Sequence, residues 1–117
     1  MVLDDVVIAG IGETEKSRPK RDNDQPYHDL EEYFRMAADR TLADAGVEWG
    51  DVEGLGVARP STETAYRYPL VLAETLGFED LKWVTAADHC GGQGVPLLVQ
   101  AAMAVDTGVV DSILCLG

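Results

Sequence analysis

Positive charge is scarce in this sequence. Nine Lys and Arg residues stand against 21 Asp and Glu, leaving a formal charge of −12. So few cations cannot lay a basic footprint on a phosphate backbone, so nucleic acid is not expected as a partner. Cysteine is nearly as rare. Cys90 and Cys115 are too few for a disulfide framework and fit reduced thiols. Together with His28 and His89 they do not form a metal-ligand spacing, so no metal is expected. No apolar run approaches the ~18–20 residues that a membrane span needs. Asp4 and Asp5 stand where a secretory signal would carry basic residues, so a cytoplasmic protein without a membrane span is expected. The acidic surplus has two readings. One is a solvated surface that favours solubility; the other is a high-salt cytoplasm in which screening removes the self-repulsion.

What the chain does have is a core. Hydrophobic residues make up 46% of its 117 residues, enough for one small domain. Val6 to Gly10 is wholly apolar and reads as a central strand. A polar stretch from Glu13 to Pro26 reads as a long loop. From His28 the pattern turns helical: Leu30, Tyr33, Phe34, Ala37, Ala38, Leu42 and Ala45 share one face, and Gly46 stops the helix. Val52 to Ala58 reads as a second strand ended by Arg59-Pro60, Thr64 to Leu76 as a second helix closed by Gly77, and Lys82 to Ala86 as a third strand. Gly94 to Thr107 reads as a third helix, because Pro96 is tolerated only in a first turn; Ser112 to Leu116 is a fourth strand. The order β-α-β-α-β-α-β predicts an α/β layered fold with a mostly parallel sheet. A chain that stops just after a strand, where ligands gather in such folds, is expected to be a fragment of a longer protein.

Two local motifs count for little. Gly10-Ile11-Gly12 followed by Lys16-Ser17 suggests a phosphate loop, but Glu15 stands where that loop needs glycine. A glycine-permitted turn is the plainer reading. Asp88 and His89 are sequence neighbours, and neighbours on an extended chain point to opposite faces, so they make a poor dyad.

The stretch Asp88-His89-Cys90-Gly91-Gly92-Gln93-Gly94 is more informative. Glycines at 91, 92 and 94 allow close backbone approach where a strand gives way to a helix. Free amides at such a helix start can lower a thiol pKa or hold an oxyanion. Cys90 and His89 are the candidate catalytic residues, and Gly91, Gly92 and Gly94 the candidate substrate-binding backbone. A packed structural thiol is the competing reading of Cys90.

Three blocks of residues carry a resemblance. They are Val7-Ile8-Ala9-Gly10-Ile11-Gly12-Glu13-Thr14; Ala43-Asp44-Ala45-Gly46 with Asp51-Val52-Glu53-Gly54-Leu55; and Ala101-Ala102-Met103-Ala104-Val105 with Thr107-Gly108 and Asp111. With them, residues 1–117 resemble the N-terminal portion of the thiolase superfamily. The closest branch holds sterol carrier protein X-type thiolases and the lipid-transfer-protein aldolases of steroid side-chain degradation. The resemblance implies a thiolase-like layered fold, present here as an incomplete N-terminal half. It also implies an acyl-CoA substrate, with coenzyme A entering as part of that substrate and no separately bound cofactor.

Thiolases of this superfamily carry the acyl group on a cysteine in a Cys-x-Ser-Gly run. Counting back from the helix-closing Gly108 by the family spacing puts the cysteine position on Gly91, the serine on Gln93 and the glycine on Gly94, so Cys90 falls one residue early. A slip of one residue at a strand-to-helix turn redirects a side chain by roughly 100° or more. The aldolases have a His-Tyr-Gly-Gly-Gly-like turn instead, which His89-Cys90-Gly91-Gly92 partly matches. The resemblance therefore implies a retro-aldol carbon–carbon lyase acting on a β-hydroxyacyl-CoA. A Claisen-type acyltransferase using Cys90 and a non-catalytic thiolase-like subunit are the alternatives. It further implies a homodimer through the 82–86 strand, an OB-fold partner of the DUF35 type, and acid–base residues that lie beyond Gly117, so that the fragment alone is inactive.

Overall fold

The computed structural model describes residues 3–15, 29–59, 68–88 and 92–117. Helix α1, Leu30–Ala45, begins at Asp29, whose carboxylate accepts from the Glu32 amide at 2.9 Å while the Glu32 carboxylate accepts from the Asp29 amide at 2.9 Å. This reciprocal capping box satisfies two amides that a helix start otherwise leaves unpaired. Gly46, at φ 68°, ends the helix in the left-handed region where glycine meets no Cβ penalty. Phe34, Ala38 and Leu42 form its buried face.

A 3₁₀ turn at Trp49–Asp51 leads into strand β1, Gly54–Ala58. Helix α2, Tyr68–Thr75, then leads to β2, Trp83–Ala87, and helix α3, Gly94–Asp106, to β3, Ile113–Leu116. The sheet order is β2-β1-β3, and both pairings are parallel. The chain thus steps from β1 to β2, then crosses over β1 to β3. All five residues of β1 are buried, which is why its sequence is continuously apolar or small rather than alternating. Leu55, Val57, Leu114 and Leu116 join Phe34, Leu42, Tyr68 and Leu72 in the main core under α1 and α2. Ala58, Ala87 and Leu97 form a smaller core with Cys115 beside it. Gly56 lets α3 lie close, since a Cβ there would stand 2.8 Å from Leu97 Cδ1.

The fold is therefore a small α/β unit with an open three-stranded parallel sheet, and one expected strand is missing from it. Val6 to Gly10 belongs to no strand among the described residues. The segment lies instead against α1. Gly10 and Gly12 make that contact possible: a Cβ at Gly10 would stand 2.6 Å from the Thr41 carbonyl oxygen, and one at Gly12 would stand 2.5 Å from the Thr41 nitrogen. The Ile11 amide donates to the Asp44 carboxylate at 2.9 Å, and Arg40 donates to the Glu13 carbonyl at 2.6 Å and pairs with Glu15 at 3.0 Å. Val7 is 77% exposed, Ile8 70% and Ile11 73%. An apolar run signals burial, but only a neighbouring strand edge makes it a strand, and periodicity cannot supply that edge. The expected β-α-β-α-β-α-β order is corrected accordingly to three strands among the described residues. No helix among the described residues is long and apolar enough to cross a membrane.

Candidate functional site

Because the strands are parallel, their carboxyl ends lie along one edge of the sheet. Arg59 follows β1, Asp88 follows β2, Gly117 follows β3, and α3 starts from Gly92-Gln93-Gly94. This is the edge at which open α/β sheets place ligands. Ala58, Ala87 and Gly117 give it small side chains, and Gly117 approaches so closely that a Cβ there would stand 2.8 Å from Ala58 Cβ.

Arg59 connects these ends. Its amide donates to the Ala87 carbonyl at 3.1 Å, extending the β1–β2 ladder by one bond. Its guanidinium pairs with the Asp88 carboxylate. Its carbonyl accepts from the Gln93 side-chain amide at 3.0 Å. The side chain of Gln93 is thereby turned toward the strand end, and it makes no cap to its own helix. The first turn of α3 contains no carboxylate. The positive end of the helix dipole at this edge is therefore not neutralised by an acidic residue of that turn.

Of the residues expected to form the site, Gly92 and Gly94 lie here and are exposed, and a Cβ at Gly94 would meet nothing within 4 Å. His89, Cys90 and Gly91 lie outside the described residues, as does His28. Asp88 turns to Arg59, which gives it a structural partner other than its sequence neighbour His89. Arg59 and Gln93 carry no role in the sequence reading beyond strand end and motif register. Their partners stand 29 and 34 residues away along the chain, a separation that no local pattern encodes.

Cys115 sits within β3, packed beside the smaller core. Burial pushes its thiol up to about 11, so it stays protonated near neutral pH and is a poor nucleophile. A groove of about 330 Å³ runs beside Trp83, Gln100, Met103 and Val109, where β2 begins and α3 ends. It is therefore at the other end of these elements from the Arg59 cluster. Among the described residues no group of three or more His, Cys, Asp or Glu could hold a metal ion.

No protein-family model matches the chain. It is 32% identical over 111 residues to a steroid side-chain-cleaving aldolase of Thermomonospora curvata, a match covering 92% of this chain and 25% of that protein. It is 30% identical over 117 residues to a 17-hydroxy-3-oxo-4-pregnene-20-carboxyl-CoA lyase of Mycobacterium tuberculosis, covering 97% of this chain and 27% of the lyase. Among solved structures it matches a chain of the Ltp2-ChsH2(DUF35) aldolase with a TM-score of 0.71 and 31% identity, over 92% of this chain and 26% of that one. The chain thus spans about a quarter of the length of the relatives it matches. These relatives bear aldolase and lyase names, which supports the lipid-degrading aldolase side of the expected resemblance and not the sterol carrier protein X-type thiolase side.

Proposed function

We propose that the chain is the N-terminal portion of a carbon–carbon lyase that cleaves a β-hydroxyacyl-CoA by retro-aldol chemistry, within a thiolase-like layered fold. The observation that carries this reading is the match along nearly the whole chain to an aldolase and an acyl-CoA lyase, both at 30% identity or above. The names of those relatives point to a steroid side chain as the acyl group.

The chemistry fits the strand-end edge. A base removes the β-hydroxyl proton, the C–O bond becomes a carbonyl, and the electrons of the Cα–Cβ bond pass into the thioester as an enolate. A proton delivered to Cα releases the shortened acyl-CoA beside the ketone or aldehyde. The enolate oxygen needs hydrogen-bond donors placed in advance, and backbone amides at Gly92 and Gly94, at the start of α3, are of the required kind. His89 and Cys90 precede these glycines in the chain and are the candidates here for contact with the reacting atoms. Cys90 carries no acyl group in this scheme, because no covalent intermediate is required. Base and acid come from the remainder of the protein. Coenzyme A enters with the substrate, and no other cofactor is needed.

The matched solved structure is named as an aldolase with a DUF35 component. An OB-fold partner of that type is accordingly part of the proposal, as are a homodimer through the β2 edge and a cytoplasmic location. The test is product analysis. The full-length protein, co-expressed with its DUF35-type partner, is incubated with a steroid β-hydroxyacyl-CoA, and ketone and shortened acyl-CoA are quantified. Equimolar release of the two supports the lyase. Partner binding without turnover would favour a non-catalytic subunit.

A further inference from the structure

We propose that Arg59 is a positioning residue for the lyase reaction, holding the start of α3 in register with the ends of β1 and β2. The inference rests on the lyase reading and goes beyond it, since it assigns Arg59 a role exerted through Asp88 and Gln93. Its three polar groups reach two chain segments, the end of β2 and the entrance to α3. The amide bonds to Ala87 at the end of β2, the guanidinium to Asp88 immediately after it, and the carbonyl receives the Gln93 side chain at the entrance to α3. Arg59 thereby ties the end of β2 to Gln93, which stands between Gly92 and Gly94 at the entrance to α3, and so governs where those two glycines sit relative to the strand ends.

Stability alone does not account for the arrangement. The side chain of Arg59 is 26% exposed and that of Asp88 51%, and ion pairs so open to water contribute little to folding. The planar guanidinium fixes direction as well as charge, which a lysine in its place cannot do. The backbone bonds of Arg59 survive side-chain substitution, so Arg59→Met takes away the arm to Asp88, Asp88→Asn takes away its charge, and Gln93→Leu takes away the arm to α3.

The experiment is steady-state kinetics of the full-length protein with its DUF35-type partner, alongside thermal unfolding and amide hydrogen exchange at Gly92 and Gly94. Misplacement of a reacting group by about 1 Å costs on the order of 100-fold in rate. Arg59→Met and Asp88→Asn are each expected to lower kcat roughly 10- to 100-fold while KM stays within about 3-fold and the melting temperature is nearly unchanged. Exchange at Gly92 and Gly94 should quicken in both. Arg59→Lys should restore only part of kcat, and the exchanged pair Arg59→Asp with Asp88→Arg more of it than either single change. An unchanged kcat in Asp88→Asn, or a loss that follows the melting temperature, overturns the positioning role while leaving the lyase reading standing. Absence of turnover in the unsubstituted protein overturns the lyase reading and this inference with it.

Discussion

Introducing the same methyl group at three glycines tests how the N-terminal segment is seated. At Gly10 a Cβ would lie 2.6 Å from the Thr41 carbonyl oxygen, 2.7 Å from the Ala45 nitrogen and 2.8 Å from Ala45 Cβ. None of these atoms can rotate away, because all belong to the α1 backbone or its first side-chain carbon. Relief requires the segment to move outward, and overpacking of this kind costs about 1–3 kcal/mol. At Gly56 the nearest atom, 2.8 Å away, is Leu97 Cδ1, the end of a side chain that can turn. Alanine in a strand also recovers ~0.5–1 kcal/mol relative to glycine, so the net loss there should be about 1 kcal/mol or less. At Gly94 the space is open and alanine should stabilise by ~0.4–1 kcal/mol through the unfolded chain. Urea unfolding ranks the three, with the denaturation midpoint compared at a common slope. The loss at Gly10 is bounded by what docking of the segment contributes, so exchange of the Ile11 amide, bonded to Asp44, is read in parallel and should accelerate in Gly10→Ala alone. A Gly10→Ala protein as stable as Gly94→Ala, with a protected Ile11 amide, would refute the packing of residues 6–12 on α1.

Three further outcomes are expected. Asp29→Ala removes the α1 cap and should destabilise by about 1 kcal/mol in the same urea assay, with Asp29→Asn losing much less. Cys115, raised from 9.0 to about 11, should react with iodoacetamide roughly 100-fold more slowly than a free cysteine at pH 8; its contribution to stability is complete below pH 9 and is lost as pH rises through about 11. Hydrogen bonding from Lys82 lowers the Glu53 carboxyl below its ordinary 4.5, so this pair supports the fold above that pH and ceases to as pH falls through the lowered value. Lys82→Met should bring the Glu53 titration, followed by carboxyl NMR, back toward 4.5.

Helices and parallel strands are legible in the sequence because local chemistry encodes them. Gly46, Gly77 and Gly108 each adopt positive φ where the sequence marks a helix end, and Pro96 sits in the first turn of α3 as required. The burial of Leu55 and Val57 follows from the apolar run that contains them. The position of Val6 to Gly10 is not legible, since a wholly apolar segment states that it wants cover without naming what provides it. Gly10 and Gly12 read as turn formers, and their use is close contact with a helix some 30 residues later. Of the candidate site residues, Gly92 and Gly94 lie at the carboxyl edge of the sheet where α3 begins, as a strand-to-helix turn in the sequence implies, and Gln93 stands out only because it occupies the serine position of the thiolase run. The bond from Gln93 to Arg59 depends on how β1 and α3 meet, which is a tertiary fact.

The proposed lyase cleaves its substrate without an acyl-enzyme on Cys90. The most direct measurement is mass spectrometry of the full-length protein and its small molecules, quenched during turnover of a steroid β-hydroxyacyl-CoA. Ketone and shortened acyl-CoA in equal amounts, with the Cys90 peptide at its unmodified mass, is the predicted result. A thioester adduct on Cys90 that forms and decays with turnover would contradict it.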